Sequence, residues 1–232
     1  MNAALILART DSRRLPNKVI SELGGKKLIQ WCIDGVQKVE NLEPILVTSD
    51  RDVDLPLIEI AKENKIKYFQ GDFENIAKRI LDCIHHFNIE MFARVNGDSP
   101  FLNKQITEEA LRILNENPKV DFVTNLVPRR FPYGLSVEIM RSNVFEKNYS
   151  QLNTKELREH ITSWFYQNPD KLTIHGLEYK YGNDHDIRFT IDTAEDHNNV
   201  EKIILNNPTF DFHTSTIKEI LEKFKVNKKE IE

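Results

Sequence analysis

The stretch Ala3-Ala4-Leu5-Ile6-Leu7-Ala8-Arg9-Thr10-Asp11-Ser12-Arg13-Arg14-Leu15-Pro16-Asn17-Lys18 decides the fold class of this chain. Its first five residues are apolar and of strand length, and the following residues include three arginines, one serine and one lysine. In α/β folds, ligands bind at the carboxyl edge of the sheet, where we expect this loop to lie. Arginine forks and a lysine charge suit phosphate oxygens. The stretch therefore predicts a nucleotide phosphate site.

The glycine spacing of a Walker A loop or of a dinucleotide-binding turn is missing from residues 8–18. Phosphate must therefore be bound by the side chains of this segment and by its backbone turn. A solvated basic turn is the alternative interpretation. The leading strand, the adjacent Pro16 and the terminal Lys18 favour phosphate binding.

Apolar runs of strand length alternate with segments of helical period along the chain. We predict strands over residues 3–7, 44–49, 67–69 and 91–95, and helices over residues 27–39, 55–64 and 75–87. This alternation is typical of βα units. It predicts an α/β fold, a Rossmann-like three-layer sandwich with a mainly parallel sheet. A length of 232 residues is within the range of one domain, so we expect a single domain over 1–232.

The composition argues against several classes of partner. The formal net charge of −4 gives no general attraction to polyanions, so we expect no nucleic-acid partner. Neither a bilayer-spanning apolar run nor a signal segment is recognisable, which predicts no membrane partner and a cytoplasmic location. Cys32 and Cys83 lie among apolar neighbours without metal-ligand spacing, which predicts reduced core residues.

The pattern A-R-x-x-S-x-R-L-P-x-K over residues 8–18 resembles the opening signature of the sugar cytidylyltransferases, which include the CMP-KDO and CMP-sialic acid synthetases. The match is closer to the spore coat polysaccharide biosynthesis protein F branch. The resemblance implies a fold of the nucleotide-diphospho-sugar transferase type. It also implies CTP phosphate binding by Ala8, Arg9, Ser12, Arg14 and Lys18, with Arg9, Arg14 and Lys18 as catalytic cations.

Asn96-Gly97-Asp98-Ser99-Pro100 follows the predicted strand 91–95. Taken alone, this segment is ordinary turn chemistry. It resembles the G-D-x-P element of the family, which implies that Asp98 binds Mg²⁺ and that Asn96 lies near the nucleotide. Magnesium prefers oxygen ligands and commonly uses one or two protein carboxylates together with substrate phosphates.

A second carboxylate follows a predicted strand over residues 188–191. Asp192-Thr193-Ala194-Glu195-Asp196 leads into a predicted helix from about residue 195 to 206, and Asp192 or Thr193 is a candidate N-cap. The segment resembles the D-T-P-E-D element of the family, with Ala194 in place of proline. This resemblance implies that Asp192 is the second magnesium ligand.

Residues 121–125 and 129–139 form the predicted acceptor region. The second segment resembles the P-x-G-x-x-V-E pattern of the family, which implies that Asn125, Tyr133, Gly134 and Glu138 lie near the acceptor or a partner subunit. An extended arm around residues 128–141 predicts a homodimer, since an exposed extended segment pairs readily with another chain. The period-two pattern leaves an alternative for Glu138, an outward position on an amphipathic strand.

Two further segments resemble family elements. Residues 158–162 match R-E-H-[VI]-T on a predicted helix over 156–167, which implies that Glu159 or His160 reaches the acceptor. A structural hydrogen bond is the alternative for His160. Residues 71–79 resemble an element near the nucleotide base, which implies a nucleotide-binding role for Arg79, although Asn75 stands at the expected aspartate. Helix capping by Asp72 explains part of this pattern.

The sequence thus predicts a nucleotidyltransferase that couples CTP to a sugar or sugar acid, with Mg²⁺ as cofactor. Its products are a CMP-sugar and pyrophosphate, for polysaccharide or glycoconjugate biosynthesis. A glycosyltransferase that consumes a nucleotide sugar is one alternative, although Asp50-Arg51-Asp52 is a weak match to a D-x-D metal element. A non-catalytic nucleotide-sugar-binding protein is the other.

Overall fold

The computed structural model describes residues 1–12, 14–182 and 184–229, and its main feature is a seven-stranded sheet within those residues. The strands of this sheet are β1 (Asn2–Leu7), β4 (Glu43–Ser49), β5 (Lys67–Gly71), β6 (Met91–Asn96), β7 (Phe122–Thr124), β8 (Glu138–Arg141) and β9 (Ile174–Gly176). Their order across the sheet is β5-β4-β1-β6-β8-β7-β9. A small hairpin of β2 (Glu22–Leu23) and β3 (Lys26–Lys27) stands apart from it.

The sheet is mainly parallel, as predicted. β1 pairs in parallel with β4 and β6, and β4 pairs in parallel with β5. Strand β8 runs in the opposite direction to both of its neighbours, β6 and β7. Because β8 is reversed, its first residue lies at the edge where the parallel strands end. That edge is where α/β folds bind ligands.

Nine α-helices lie within the described residues and connect or flank the strands. They are α1 (Leu28–Gln37), α2 (Leu55–Glu63), α3 (Ile76–Phe87), α4 (Lys104–Glu116), α5 (Ser142–Asn148), α6 (Lys155–Glu159), α7 (Ser163–Gln167), α8 (Ala194–Asn206) and α9 (Ile217–Lys229). The first three confirm the predicted helices to within one or two residues at each end, and α8 confirms the fourth. Short 3-10 helices occupy Lys18–Ile20, Asp52–Asp54, Tyr149–Gln151 and Pro169–Lys171.

The helices cover both faces of the sheet and give the predicted three-layer sandwich. Ala3 and Leu5 of β1 belong to the apolar cluster with α3, α5 and α7, whereas Ala4 and Ile6 belong to the cluster with α1, α4, α8 and α9. Both faces of β1 are therefore buried, which explains its continuous apolar sequence. Each fully buried leucine or isoleucine stabilises such a core by about 1.5–3 kcal/mol.

Three predicted features are wrong. The single helix over 156–167 is broken after Glu159, since His160 takes φ −99° and ψ 67° and the chain turns to bury Ile161. Residues 188–191 form no strand, because the N–H groups of Phe189 and Ile191 bond to different segments, at Tyr133 and Asp98.

The third wrong prediction is that the arm around residues 128–141 is exposed, because its central part is buried. Phe131, Leu135 and Val137 are buried in the main core, and Gly134 packs against Phe189. The segment folds back over the sheet because its apolar residues find partners within the same chain. The homodimer stays a prediction without this support.

Cys32 and Cys83 are free and buried, which confirms their predicted place in the core. Burial raises the pKa of the Cys83 thiol to about 12. Within residues 1–12, 14–182 and 184–229, no helix combines the length and the apolar composition needed to cross a bilayer. The last residues of the predicted domain, 230–232, lie outside the described residues.

Candidate functional site

The basic loop leaves β1 at the carboxyl edge of the sheet and folds back on itself. The N–H of Asn17 donates to the carbonyl of Thr10 (2.9 Å), and Asn17 takes a left-handed φ of 58°. The next residue, Lys18, opens the 3-10 helix Lys18–Ile20. Gly97 allows the neighbouring β6 turn to approach, since a Cβ there would lie 2.9 Å from Cβ of Ala8. The loop is thus held against the end of β6.

Lys18 brings the two predicted metal-binding carboxylates together. Its Nζ lies 2.8 Å from Oδ2 of Asp98 and 3.2 Å from Oδ1 of Asp192, and it also donates to the carbonyl of Ile191 (3.0 Å). Only 10 % of the Lys18 side chain is exposed. A charged pair this far from water attracts more strongly than one at the surface. The three residues therefore form one charged cluster at the centre of the site.

Asp192 also receives arginines from two directions. Nη2 of Arg14 donates to its Oδ1 (2.7 Å), and Nη1 of Arg188 lies 3.9 Å from its Oδ2. Thr193, not Asp192, caps α8, in a capping box with Asp196. Asp192 therefore stands outside the helix and faces the loop, while the capping explanation holds for Thr193.

A buried aspartate that the sequence analysis missed holds the loop from behind. Asp54 is fully buried and accepts hydrogen bonds from both the N–H and the hydroxyl of Thr10, each at 2.8 Å. Ser49 also donates to Asp54, and Arg51 lies at 3.3 Å. Burial alone would raise the pKa of Asp54, but these hydrogen bonds outweigh it and lower the pKa below the ordinary value. Asp54 is charged at neutral pH and fixes the loop at Thr10.

Arg9 lies at the junction of the loop and α6. Its Nη2 is 3.5 Å from Oε1 of Glu159, and its Nε is 3.4 Å from Oδ1 of Asp11. Arg51 reaches Asp11 (2.8 Å) and stacks 3.5 Å above the ring of Phe73. Glu159 is thus brought to the loop, as part of the predicted site, whereas His160 is exposed at the end of α6.

Arg79 does not have the exposed position expected for nucleotide contact. It is 2 % exposed, and its guanidinium donates to the carbonyls of Asp72 (2.9 and 2.7 Å) and Phe73 (3.1 Å). Burial lowers the pKa of Arg79 to about 10, so it remains a cation at neutral pH. This geometry gives Arg79 a supporting position behind residues 71–75. Asn75, not Asp72, caps α3 by accepting from Lys78 N–H (2.9 Å).

Glu138 faces inward, so the outward alternative for it is wrong. It is 4 % exposed and accepts from Arg94 Nη1 (2.6 Å) and from the Tyr166 hydroxyl (2.6 Å). Thr124 lies 3.0 Å from the same hydroxyl. Burial and the neighbouring Glu138 charge raise the pKa of Tyr166, which keeps it a donor. Arg94 was detectable in the sequence as a charge inside an apolar strand, and such a charge needs a partner.

The remaining predicted acceptor residues hold the segment around Gly134. The buried amide of Asn125 donates to the carbonyl of Leu135 (2.6 Å) and accepts from the N–H of Val137 (2.8 Å), which gives it a supporting position in this segment. Tyr133 lies between Arg129 and Arg188, whose guanidinium carbons are 4.2 and 4.8 Å from its ring centre. Ser12 and Asn96 are half-buried near the loop and the end of β6.

Oxygen donors of the kind that Mg²⁺ prefers meet at Lys18. Asp98 and Asp192 converge on one cation, the Lys18 ammonium, so the pair is spaced to share a positive charge. No group of three or more histidine, cysteine, aspartate or glutamate side chains in the described residues has metal-site geometry. Two carboxylates fit magnesium, because the ion usually completes its shell with water and substrate phosphate.

The family model of the cytidylyltransferases matches residues 3–226. The chain belongs to the cytidylyltransferase family. Spore coat polysaccharide biosynthesis protein SpsF of Bacillus subtilis is 23% identical to this cytidylyltransferase over 209 residues, which cover 86% of this chain and 84% of SpsF. The family assignment makes the protein a nucleotidyltransferase enzyme and favours it over the glycosyltransferase and the non-catalytic alternatives.

Solved structures agree with the fold of this cytidylyltransferase. A cytidylyltransferase from Leptospira borgpetersenii gives a TM-score of 0.91 at 26% identity, covering 98% of this chain and 95% of that one. CMP:2-keto-3-deoxy-manno-octonic acid synthetase, solved in complex with CTP, gives a TM-score of 0.67 at 18% identity, covering 88% of this chain and 98% of that one. The predicted nucleotidyltransferase fold is confirmed.

Proposed function

We propose that this cytidylyltransferase couples CTP to a sugar or sugar acid in polysaccharide or glycoconjugate biosynthesis. An acceptor hydroxyl attacks the α-phosphorus of CTP. A new oxygen–phosphorus bond forms, the bond to pyrophosphate breaks, and the hydroxyl proton is released. The products are a CMP-sugar and pyrophosphate. The choice of CTP is supported by the family and by the CTP complex of the KDO-activating relative.

The observation that carries this proposal is the convergence of Lys18, Asp98 and Asp192 within hydrogen-bond distance, with Arg14 on the same Asp192 oxygen. Phosphoryl-type transfer needs cations for the phosphate oxygens and carboxylates for a metal ion. Both kinds of group meet here at the carboxyl edge of the sheet. The Arg14 side chain is 66% exposed, so it is accessible to a phosphate group.

Mg²⁺ fits Asp98 and Asp192 as the two protein ligands. When bound, the ion neutralises phosphate charge and so favours departure of pyrophosphate. Lys18 and Arg14, which lie beside these carboxylates, would hold the phosphate oxygens. Arg9 can also hold a phosphate oxygen, if the phosphate replaces Glu159 as its ion-pair partner.

The chain's own cations supply stabilisation at the departing pyrophosphate. Arg9, Arg14 and Lys18 come from one loop that Asp54 fixes at Thr10, so their charges are held in advance of the reaction. Preorganised charges of this kind lower the barrier because no solvent has to reorganise around the transition state. The Ser12 hydroxyl adds a neutral donor to the same site, whereas the N–H of Ala8 donates to the carbonyl of Val47 (3.2 Å).

The acceptor side lies along β8 and the segment around Gly134. Three of the predicted acceptor contacts have side chains near the carboxyl edge of the sheet. They are Tyr133, Glu138 and Glu159. Asn125 supports the segment from behind. The cytoplasmic location and the homodimer are part of this proposal as predictions from the sequence.

The test is release of pyrophosphate by the purified protein. Each of the four nucleoside triphosphates is supplied with Mg²⁺ and with a panel of neutral sugars, sugar acids and sugar phosphates. We expect acceptor-dependent release with CTP and none with EDTA. CTP binding without release for any acceptor, or equal release with all four nucleotides, would overturn the proposed reaction.

A further inference from the structure

Asp11 is the one acidic residue of the basic loop, residues 8–18. It lies in the chain between Arg9 and Arg14, two of the cations proposed to bind phosphate. A carboxylate repels a phosphate group, and the repulsion is stronger where water is partly excluded. Only 33% of the Asp11 side chain is exposed, and its Oδ1 is buried without a hydrogen-bond partner among the described residues. The loop therefore needs a cation that neutralises Asp11 without occupying the phosphate site.

Arg51 supplies that cation from outside the loop. Its Nη1 lies 2.8 Å from Oδ2 of Asp11, whereas 3.4 Å separates Nε of Arg9 from Oδ1. Within residues 1–12, 14–182 and 184–229, these two arginines are the ion-pair partners of Asp11. The hydrogen bond to Asp11 raises the pKa of the Arg51 guanidinium above its ordinary value. The shorter distance makes Arg51 the main partner of the carboxylate.

Three further contacts fix the Arg51 guanidinium in this position. Nη2 lies 3.3 Å from Oδ2 of the buried Asp54, Nε donates to Oγ of Ser49 (3.2 Å), and the guanidinium carbon lies 3.5 Å from the ring centre of Phe73. Stacking on a ring leaves the N–H groups of a guanidinium free to donate in its own plane. Arg51 thus joins the turn after β4, the turn after β5 and the basic loop.

Resting on the proposed binding of CTP phosphates by the basic loop, we propose that Arg51 is a positioning residue of the phosphate site. It acts through Asp11, whose charge it neutralises, and so leaves Arg9 available for phosphate. Without Arg51, Asp11 has Arg9 as its remaining partner and presents a negative charge to the triphosphate. The segment Asp50-Arg51-Asp52, a weak match to a metal element, then serves the site through its arginine. A guanidinium that only braced the turn after β4 would act independently of the charge at Asp11.

The test is a double-mutant cycle at Arg51 and Asp11, with CTP affinity measured by calorimetry in the presence of Mg²⁺. Methionine removes the charge of Arg51 and keeps a favourable contact with an aromatic ring. For R51M we expect about tenfold weaker CTP binding, the effect of one unpaired charge beside the phosphates. D11N should bind CTP no more weakly than the wild type, and D11N/R51M should return to within about threefold of it. Equal losses in R51M and D11N/R51M would overturn the inference.

The number of phosphates gives a second readout. Repulsion by Asp11 grows with the charge of the ligand, so the loss in R51M should be largest for CTP, smaller for CDP and smallest for CMP. The same loss for all three nucleotides would assign a purely structural role to Arg51. R51K keeps a charge near Asp11 but loses the planar fork, so we expect about threefold weaker CTP binding, which D11N/R51K should cancel. This second pair decides the question if R51M does not fold.

R112M is the matched control, because Arg112 on α4 also pairs with two carboxylates, those of Glu109 and Glu116. It should bind CTP as the wild type does. Thermal unfolding without nucleotide verifies that each variant is folded. Absence of CTP binding in the wild type would overturn the proposed function and with it this inference. CTP binding that is unchanged in both R51M and R51K would overturn the inference alone.

Discussion

Nζ of Lys18 lies 2.8 Å from Oδ2 of Asp98, although 80 positions separate the two residues in the chain. One residue closes the loop after β1, and the other follows β6. The two strands are neighbours in the sheet, with Leu7 opposite Asn96, so their ends meet. The cation proposed to bind phosphate and the carboxylate proposed to bind Mg²⁺ therefore lie in one site, because the parallel pairing of β1 and β6 brings them there.

Removal of either carboxylate should abolish most turnover while the fold persists. For D98N and D192N we expect kcat to fall about 10²–10³-fold, the usual effect of losing one electrostatic group at a reacting phosphate. Lys18 keeps the other carboxylate as its partner in each variant, so the thermal unfolding midpoint should change little. Pyrophosphate release measures the rate. E195Q, an exposed change in the first turn of α8, is the matched control, and wild-type rates in both aspartate variants would contradict the assignment.

Replacement of Lys18 should uncover the carboxylate pair. In K18Q, Asp98 and Asp192 lose their shared cation, and we expect Mg²⁺ alone to raise the unfolding midpoint more than it does in the wild type. CTP affinity should fall about tenfold or more, since a charged hydrogen bond to phosphate is lost. Calorimetry and thermal shift measure the two effects. K62Q on α2 controls for loss of a lysine charge, and equal Mg²⁺ responses in K18Q and wild type would refute the prediction.

Asp54 should stabilise the protein in a pH-dependent way. Its folded-state pKa is depressed, so its contribution is present above the ordinary carboxyl pKa of about 3.9 and is lost as pH falls through the folded-state value. We expect D54N to lower the free energy of unfolding by about 3 kcal/mol at neutral pH. Urea unfolding from neutral pH to about pH 3 should show the gap between variant and wild type narrowing below about pH 4.

The matched control for Asp54 is D52N, which changes an exposed aspartate two positions away. It should leave the free energy of unfolding unchanged. A further consequence of D54N is weaker CTP binding, since the amide oxygen accepts from Thr10 more weakly than a carboxylate does and the amide nitrogen cannot accept from Ser49. A gap that stays constant down to about pH 3 would show that the charge of Asp54 is not the source of the stability.

Gly134 and Gly182 share a φ of 97° but differ in their surroundings. A Cβ at Gly134 would lie 2.8 Å from Cβ of Phe189, whereas nothing lies within 4 Å of one at Gly182. We expect G182A to cost about 1 kcal/mol from backbone strain alone and G134A about 3 kcal/mol from strain and clash together. Chemical denaturation measures both. Equal losses would mean that the contact with Phe189 is not restrictive.

The sequence predicted the first half of the fold well, since β1, β4, β6 and the helices between them carry local apolar periodicity. The second half was less predictable. The break after Glu159 depends on burial of Ile161, and the missing strand at 188–191 depends on backbone partners in two separate segments. Such contacts are distant in the chain and leave no periodic pattern.

The residues at the centre of the site could be predicted from the sequence, but the buried residues that hold them in position could not. Lys18, Asp98 and Asp192 belong to recognisable motifs, and the structure brings them together. Asp54 has no motif of its own, because its role comes from burial behind Thr10. Arg79 and Asn125 match family elements yet bond to backbone carbonyls and amides, so a motif can mark a support as readily as a contact.

Because β8 runs in the opposite direction, the proposed acceptor residues and the proposed phosphate-binding residues lie on different strands. β1, which leads into the basic loop, and β6, which leads to Asp98, run in the same direction, whereas Glu138 reaches the same edge from β8, which runs in the opposite direction. Changes within residues 122–141 should thus remodel the proposed acceptor side while the register of β1, β4 and β6 is left intact. Grafting that segment from a relative is the most direct route to a cytidylyltransferase with a new sugar preference.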